Sequence, residues 1–184
     1  MKANSDTPLA STIQDRLDNQ GFLTSAELNP FLGLAIKDAM QQNVKGIMID
    51  GFPRCEEQLN SWVRWPFHET IPLVRDDSSS MPDFSSKWLE QEDDAKPDVV
   101  LLLNVARDEA EARYLARGRD RNDSADKFAK RFAEYLEEGP VVEKHYREAG
   151  LLVEIDNNAT KEESIANLKK ELGESHLWRS AIAD

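Results

Sequence analysis

Apolar positions recur along this chain at two spacings, one typical of amphipathic helices and one of buried strands. Leu9, Ile13 and Leu17 recur at helical spacing and are followed by Gly21, a residue that often ends a helix. They predict a short amphipathic helix over about 8–19.

A second helix follows, and the sequence offers two starts for it. Asn29-Pro30 is a good start, because Asn caps free N–H groups and Pro suits the first helical position. Thr24 with Glu27 has the spacing of a capping box and offers a rival start one turn earlier.

Three short apolar runs indicate strands. GIMID at 46–50 suggests a parallel strand covered on both faces, VVLLLNV at 99–105 a second buried strand, and LLVEID at 151–156 a third strand. Asp50-Gly51 could instead form a hairpin turn after the first run. The next segment, PRCEEQLNSW, has its apolar residues at helical spacing, which argues against the hairpin.

Helical patterns also follow the second and third strands. DEAEARYLARG predicts a helix, and the next helix carries Phe128, Phe132 and Tyr135 on one face. Helical character resumes in VVEKHYREAG, and a capping box of Thr160 with Glu163 precedes the last helix. Strands that alternate with helices predict an α/β fold with a parallel sheet.

Residues 64–97 interrupt this pattern. They contain several prolines, a run of three serines and the acidic stretch EQEDD. We interpret them as a long irregular connection or insertion within a single domain over 1–184.

Composition and charge narrow the classes of partner. The chain has 35 acidic and 23 basic residues, and its net charge of −12 disfavours nucleic acid and anionic membranes as partners. Its single cysteine, Cys55, excludes an internal disulfide, and the three histidines show no metal-ligand spacing.

No signal peptide or membrane span is evident in the sequence, so we expect a cytoplasmic protein. No feature of the sequence predicts an oligomeric state.

Several candidate ligand-binding residues follow the first predicted strand. Asp50 ends that strand, where α/β sheets bind ligands, and could order the water shell of a magnesium ion; it could equally be a turn residue that caps the next helix. Arg54 lies near a helix start, where a guanidinium can grip a phosphate. Gln58 follows one turn later on the same face, and a solvated helix face is the alternative interpretation of this pair.

A second basic segment lies between Arg113 and Arg131, with seven basic residues against three acidic ones. Phosphoryl transfer depends on positioning and on neutralising charge, for which such arginines are suited. The alternative is a helix face with many ion pairs.

Several of these segments together resemble the nucleoside monophosphate kinase family, with UMP-CMP kinase and the short-lid adenylate kinases nearest. They are IDGFPR with Gln58 four residues on, the PDVVLLLNV strand with its ARG-ending helix, the RDRND loop followed by Lys130-Arg131, and LLVEID. The resemblance keeps their order and approximate spacing over most of the chain outside 64–97.

The resemblance implies a reaction and a set of ligands. An ATP γ-phosphoryl group would pass to a nucleoside monophosphate such as UMP, CMP or AMP, with magnesium and under a lid over 117–127. Asp50 would lie near the metal's water shell. The acceptor nucleotide would be held by Gly51, Phe52, Pro53, Arg54 and Gln58.

Further roles follow from the same resemblance. Arg117 matches an arginine against the ATP base, Arg131 matches a phosphate-clamping arginine, and Ala159 falls where a backbone group meets adenine. Arg119 and Arg121 compete for the remaining lid role, because the shortened loop leaves the register open. Catalytic contacts would therefore come from Arg54, Arg131 and a lid arginine such as Arg121.

The sequence departs from this family at the N-terminus. The phosphate loop G-x-x-x-x-G-K-[ST] and the strand before it are missing, and residues 1–42 match only the acceptor-binding helices. We therefore expect a kinase-like sheet truncated at its N-terminus, lacking a central strand between those at 46–50 and 99–105. Those two strands could then pair directly, or another segment or partner could fill the gap. The departure leaves the activity of this form in doubt, and a non-catalytic nucleotide-binding or interaction protein is the alternative.

Overall fold

The computed structural model describes residues 22–42, 44–64, 97–117 and 124–183, and these form an α/β fold. The expected helix over 8–19, Arg119, Arg121 and nearly all of 64–97 lie outside the described residues. The elements in chain order are α1 (Ser25–Gln41), α2 (Glu56–Val63), β1 (Val100–Asn104), α3 (Arg107–Ala116), α4 (Ala125–Glu148), β2 (Leu152–Asp156), α5 (Lys161–Glu174) and α6 (His176–Ile182). Across the described ranges, no helix has the length and apolarity needed to cross a membrane.

The first helix begins at the earlier of its two candidate starts. Thr24 Oγ1 accepts a hydrogen bond from the backbone N–H of Glu27, and the Glu27 carboxylate accepts the Thr24 N–H at 2.8 Å. The predicted start at Asn29-Pro30 is wrong, because this capping box already satisfies the first free N–H groups. Asn29 is instead buried inside α1, where its amide donates to Ser61 Oγ of α2 at 2.8 Å.

The second and third predicted strands are confirmed as β1 and β2. They form a parallel pair whose register runs from Val100 opposite Leu152 to Asn104 opposite Asp156. The connection between them passes through α3 and α4, so it is the crossover that a parallel pair requires.

The first predicted strand, over 46–50, is not formed. These residues have no strand assignment, and among the described residues the sheet has only β1 and β2. Met48 is 89% exposed, and Ile47 is also exposed. An extended segment becomes a strand only when a neighbour accepts its backbone groups, and apolar sequence alone does not provide that neighbour. Direct pairing of 46–50 with β1 is likewise not formed.

Helix α4 is longer than the sequence pattern indicated. The two helical stretches expected on either side of Gly139-Pro140 are one continuous helix, which begins at Ala125 within the expected lid segment 117–127. Burial of Phe128 before the proline and of Tyr146 after it anchors both halves, which offsets the hydrogen bond that Pro140 cannot donate.

The end of α4 follows a well-defined motif. Gly150 has a φ of +69°, and its N–H donates to the Arg147 carbonyl. The Leu151 N–H donates to the Tyr146 carbonyl, which completes a Schellman turn and leads directly into β2.

Other helix predictions are confirmed. Thr160 and Glu163 form the expected capping box at the start of α5. The aromatic face of α4 is formed as expected, with ring centroids 5.6 Å apart for Phe128 and Phe132 and 6.1 Å apart for Phe132 and Tyr135.

Two apolar clusters hold these elements together. In the first, Ile36 of α1 and Trp62 of α2 are buried with Ile49 and Phe52 against them, and Phe52 meets Trp62 edge to face at 5.5 Å. The second cluster lies where α2, α4 and one face of the sheet meet. Its members are Leu59, Val142 and Tyr146, with Val63, Val100, Leu151 and Leu152 packed around them.

We expect Ile36→Ala to lower the free energy of unfolding by about 2–5 kcal/mol, because it leaves a cavity beside Trp62. Leu34→Ala on the same helix is the matched control, since Leu34 is exposed and such substitutions change stability by less than about 0.5 kcal/mol. Urea unfolding followed by circular dichroism measures both. Equal losses in the two variants would contradict this account of the cluster.

Candidate active site

The loop from Asp50 to Arg54 folds back on itself. Gly51 has a φ of +67°, in the left-handed region that favours glycine, and its carbonyl accepts a hydrogen bond from Arg54 Nε. A Cβ at Gly51 would lie 2.5 Å from Arg54 Nη2. The loop also contains a cis peptide bond between Phe52 and Pro53. It therefore brings the Arg54 guanidinium against the Gly51 backbone, where only glycine leaves room.

The side-chain amide of Gln58 holds this loop through hydrogen bonds. Its side chain is 2% exposed; Oε1 accepts the backbone N–H of Arg54 and Nε2 donates to the carbonyl of Leu23, each at 2.8 Å. Gln58 is the third residue of α2, so its bond to Arg54 also satisfies a donor just before the helix. The amide thus joins the 51–54 loop to the segment that enters α1.

Arg54 and Arg131 lie close together although 77 positions separate them in the sequence. Burial lowers the pKa of Arg54, the charge of Arg131 lowers it further, and Asp50 and Glu134 oppose that change. Burial raises the pKa of Glu134, whereas the Phe22 N–H and the two arginines act to lower it. The charges of Arg131 and Glu134, both on α4, therefore act on the partly desolvated Arg54 guanidinium of the 51–54 loop.

Arg131 also lies beside the aromatic ring of Tyr114 on α3. Its Cζ is 5.9 Å from the ring centroid, and the Cζ of Arg117 is 4.2 Å from the same centroid. Both distances suit cation–π contacts. The structure therefore brings together three of the arginines identified in the sequence, Arg54, Arg131 and Arg117, from three separate segments.

Ala159 lies in the loop between β2 and α5, and its backbone carbonyl oxygen accepts two hydrogen bonds within the chain. It accepts from Arg113 Nη2 at 2.8 Å and from Ser164 Oγ at 3.2 Å. Arg113 is held in turn by Glu109 at 2.8 Å. A carbonyl oxygen has two lone pairs, so a nucleotide base could bond to it only in exchange for one of these partners.

Asp50 is exposed at the start of the same loop and does not cap α2, because the N-cap residue is Cys55. Its charge acts on Arg54 instead. Nowhere in the described residues do three or more His, Cys, Asp or Glu side chains gather in a way that could hold a metal ion. A role for Asp50 through magnesium-bound water stays a prediction.

Two residues beside the candidate-site arginines, Glu134 and Tyr114, were not identified from the sequence. Glu134 lies three positions after Arg131 and Tyr114 lies three before Arg117, so both share a helix face with an arginine that was identified. That helical spacing was the signal available in the sequence. It could not show that α4 faces the 51–54 loop.

Comparison with known proteins agrees with a kinase of small nucleotides. No protein-family model matches the chain. It is 30% identical over 164 residues to an adenylate kinase from a Nitratiruptor species, a match that covers 89% of this chain and 71% of that protein. An adenylate kinase from Nautilia profundicola is 26% identical over 171 residues, covering 92% and 75%. One from Campylobacter concisus is 25% identical over 152 residues, covering 81% and 68%.

The first of these similarities spans most of both proteins. The chain therefore belongs to the adenylate kinase family, a group of the nucleoside monophosphate kinases.

We expect Gly51→Ala to destabilise the chain by about 1–2 kcal/mol, because an L residue is strained at this φ and the new Cβ displaces Arg54. Gly46→Ala is the matched control, since its Cβ would meet nothing within 4 Å. Urea unfolding measures stability, and the NMR signal of the Arg54 Nε–H reports on the guanidinium. An unmoved signal in Gly51→Ala would contradict the close approach described above.

Proposed function

We propose that this chain binds a nucleoside monophosphate, AMP in preference to UMP or CMP, as the acceptor of an ATP-dependent phosphoryl transfer. The observation that carries the proposal is that Arg131 lies near enough for its charge to act on the partly desolvated Arg54, while its guanidinium lies beside the Tyr114 ring. The preference for AMP rests on the relatives, each of which is named adenylate kinase.

The pair of arginines suits a phosphate dianion. Two like charges held near each other repel, and burial adds to the cost, as the lowered pKa of Arg54 reflects. Glu134 offsets this with one negative charge. A phosphate brings two, and its oxygens can each accept charge-assisted hydrogen bonds. The arginines thus gain more from a bound phosphate than from Glu134 alone.

The 51–54 loop gives the phosphate contact its geometry. The bond from Nε to the Gly51 carbonyl fixes the plane of the Arg54 guanidinium, whose Nη atoms can grip two oxygens. Because Gly51 has no Cβ, the guanidinium and the nucleotide can approach the backbone closely. Phe52 and Pro53 complete the proposed acceptor loop.

Gln58 is proposed to act on the acceptor base as well as on the loop. The two bonds to Arg54 and Leu23 use one lone pair of Oε1 and one hydrogen of Nε2. The amide retains a second lone pair and a second hydrogen, the donor and acceptor pattern that suits a base edge.

ATP and magnesium enter the proposal through the family. Arg117, whose guanidinium lies over the Tyr114 ring, would lie against the ATP base, and Arg131 would contact oxygens of the transferred phosphoryl group. Arg119 or Arg121 would supply the lid arginine. When bound, magnesium would neutralise part of the phosphate charge, with Asp50 holding its water. What these arginines contribute is position and positive charge where negative charge develops.

A second candidate function is nucleotide binding without phosphoryl transfer. It is favoured by one observation: the 184-residue sequence contains no G-x-x-x-x-G-K-[ST] motif, whose backbone and lysine would cradle the ATP phosphates. Under this alternative the acceptor contacts operate while ATP chemistry does not.

Arg54→Ala should weaken AMP binding about 10–100-fold, because it removes a charge-assisted, bidentate contact of about 1.5–3 kcal/mol. Arg117→Ala should leave AMP affinity within about twofold, since its proposed contact is with ATP. Isothermal titration calorimetry with AMP, UMP and CMP measures both effects and the order of preference. Equal losses in the two variants would refute a separate acceptor site.

A coupled phosphotransfer assay with ATP, magnesium and AMP separates the two candidate functions. We expect ADP formation above background that Arg131→Ala lowers at least about tenfold, because Arg131 would contact the transferred group. Lys169→Ala on the exposed surface of α5 is the control and should have no effect. AMP binding without turnover would select the non-catalytic alternative.

A further inference from the structure

Aromatic packing between two helices fixes the ring of Tyr114. Tyr114 lies on α3, and its ring centroid is 5.6 Å from that of Phe128 on α4, with the two ring planes at 53°. Phe128 is buried and stacks in turn on Phe132, with centroids 5.6 Å apart. The position of the Tyr114 ring therefore follows from the packing of α3 on α4.

Two guanidinium groups lie beside this one ring. The Cζ atom of Arg117 is 4.2 Å from the ring centroid, and the Cζ atom of Arg131 is 5.9 Å from it. The two groups are thus no farther apart than the sum of these distances, although Arg117 directly follows α3 and Arg131 lies on α4. The ring of Tyr114 is a contact that the two arginines share.

The sequence spacing explains how both arginines reach the same ring. Arg117 follows Tyr114 by three positions and Arg131 follows Phe128 by three positions, the spacing at which side chains are neighbours on a helix. Contact between the two aromatic rings therefore brings one arginine from each helix to the same place. Arg131 then reaches across to the ring of the other helix.

An aromatic ring gives two arginines an interaction that an aliphatic side chain does not. The faces of the ring carry partial negative charge and attract a cation. Two guanidinium groups repel each other, and attraction to a shared ring offsets part of that repulsion. Leucine in place of Tyr114 would keep an apolar contact between α3 and α4 without attracting either guanidinium.

A second arginine–ring pair lies in the same helix interface. The Cζ atom of Arg107, the first residue of α3, is 5.8 Å from the centroid of the Phe132 ring on α4. This pair depends on the same packing of α3 on α4, but not on the ring of Tyr114. It is therefore an internal reference that separates loss of helix packing from loss of the Tyr114 ring.

We propose that Tyr114 is a positioning residue whose ring holds Arg117 and Arg131 at a fixed spacing, so that both can act on one ATP molecule. The inference rests on the proposed function for the roles of the two arginines, and it adds the residue that relates them. Tyr114 itself touches no substrate in this account and acts through the two guanidinium groups. Because the charge of Arg131 also acts on Arg54, the ring links the proposed ATP contacts to the acceptor loop.

The first test uses the full chain without nucleotide. NMR should show nuclear Overhauser contacts from the Tyr114 ring protons to the Hδ protons of both arginines. Relaxation of the arginine Nε–H groups then gives an order parameter for each side chain. Tyr114→Leu should lower the order parameters of Arg117 and Arg131 to below about 0.6, the range of flexible groups, and should leave Arg107 unchanged. Tyr114→Phe keeps the ring and should keep all three values.

The second test measures binding of ATP with magnesium by isothermal titration calorimetry. Tyr114→Leu should raise the dissociation constant about two- to tenfold, as expected for loss of a cation–π contact that orders an arginine. The effect should be smaller in an Arg117→Ala background, because one of the two groups through which the ring acts is then absent. Tyr135→Leu is the matched control, since the hydroxyl of Tyr135 donates to Glu143 at 2.8 Å, and it should leave ATP binding unchanged.

Several outcomes would overturn the role of Tyr114. Missing Overhauser contacts in the parent chain would do so, as would unchanged order parameters of Arg117 and Arg131 in Tyr114→Leu. An equal fall at Arg107 would show that the ring only packs α3 on α4. Full additivity of the Tyr114 and Arg117 effects on ATP affinity would show that the ring does not act through Arg117.

Failure of the proposed function gives a different result. A parent chain that binds no ATP would overturn the proposed ATP contacts and, with them, the link from Tyr114 to ATP. The order parameters, which are measured without nucleotide, would still decide whether the ring holds the two arginines.

Discussion

The packing of α2 against α4 determines where the side chains of the candidate site lie. Leu59 of α2 is buried with Val142 and Tyr146 of α4, and the sheet packs on the same cluster through Val100 and Leu152. Arg54 lies two positions before the first residue of α2 and Arg131 lies on α4, so this apolar contact fixes the spacing between two positive charges. Burial of these side chains supplies the free energy that holds like charges together.

The charge arrangement at the site follows from that constraint. Arg54 is desolvated and lies near Arg131, and Glu134 relieves part of the repulsion while also accepting the Phe22 N–H. Gln58 adds a neutral bridge from the same loop to Leu23. The loop is thus held by hydrogen bonds that do not depend on a ligand, and the same bonds place its guanidinium for the proposed phosphate contact. Such preorganisation is what a phosphate site needs, because it reduces the ordering cost of binding.

Local signals in the sequence predicted much of the fold correctly. The Thr160–Glu163 capping box, the runs that became β1 and β2, and the aromatic face of α4 each depend on residues within one or two turns of each other. Two predictions failed where the outcome depends on distant contacts. The segment 46–50 has the composition of a strand but pairs with no strand among the described residues, and Pro140 lies within a helix that packing sustains on both sides.

By itself, the sequence determined most of the helices, the runs that form β1 and β2 and the identity of the arginines, because caps, apolar spacing and residue chemistry are properties of short segments. Only the tertiary structure decided that Arg54, Arg131 and Arg117 meet, with Glu134 and Tyr114 among them. It also decided that β1 keeps an edge with no strand among the described residues. Both results depend on which helix face packs on which neighbour, and that choice is made by burial across segments far apart in the chain.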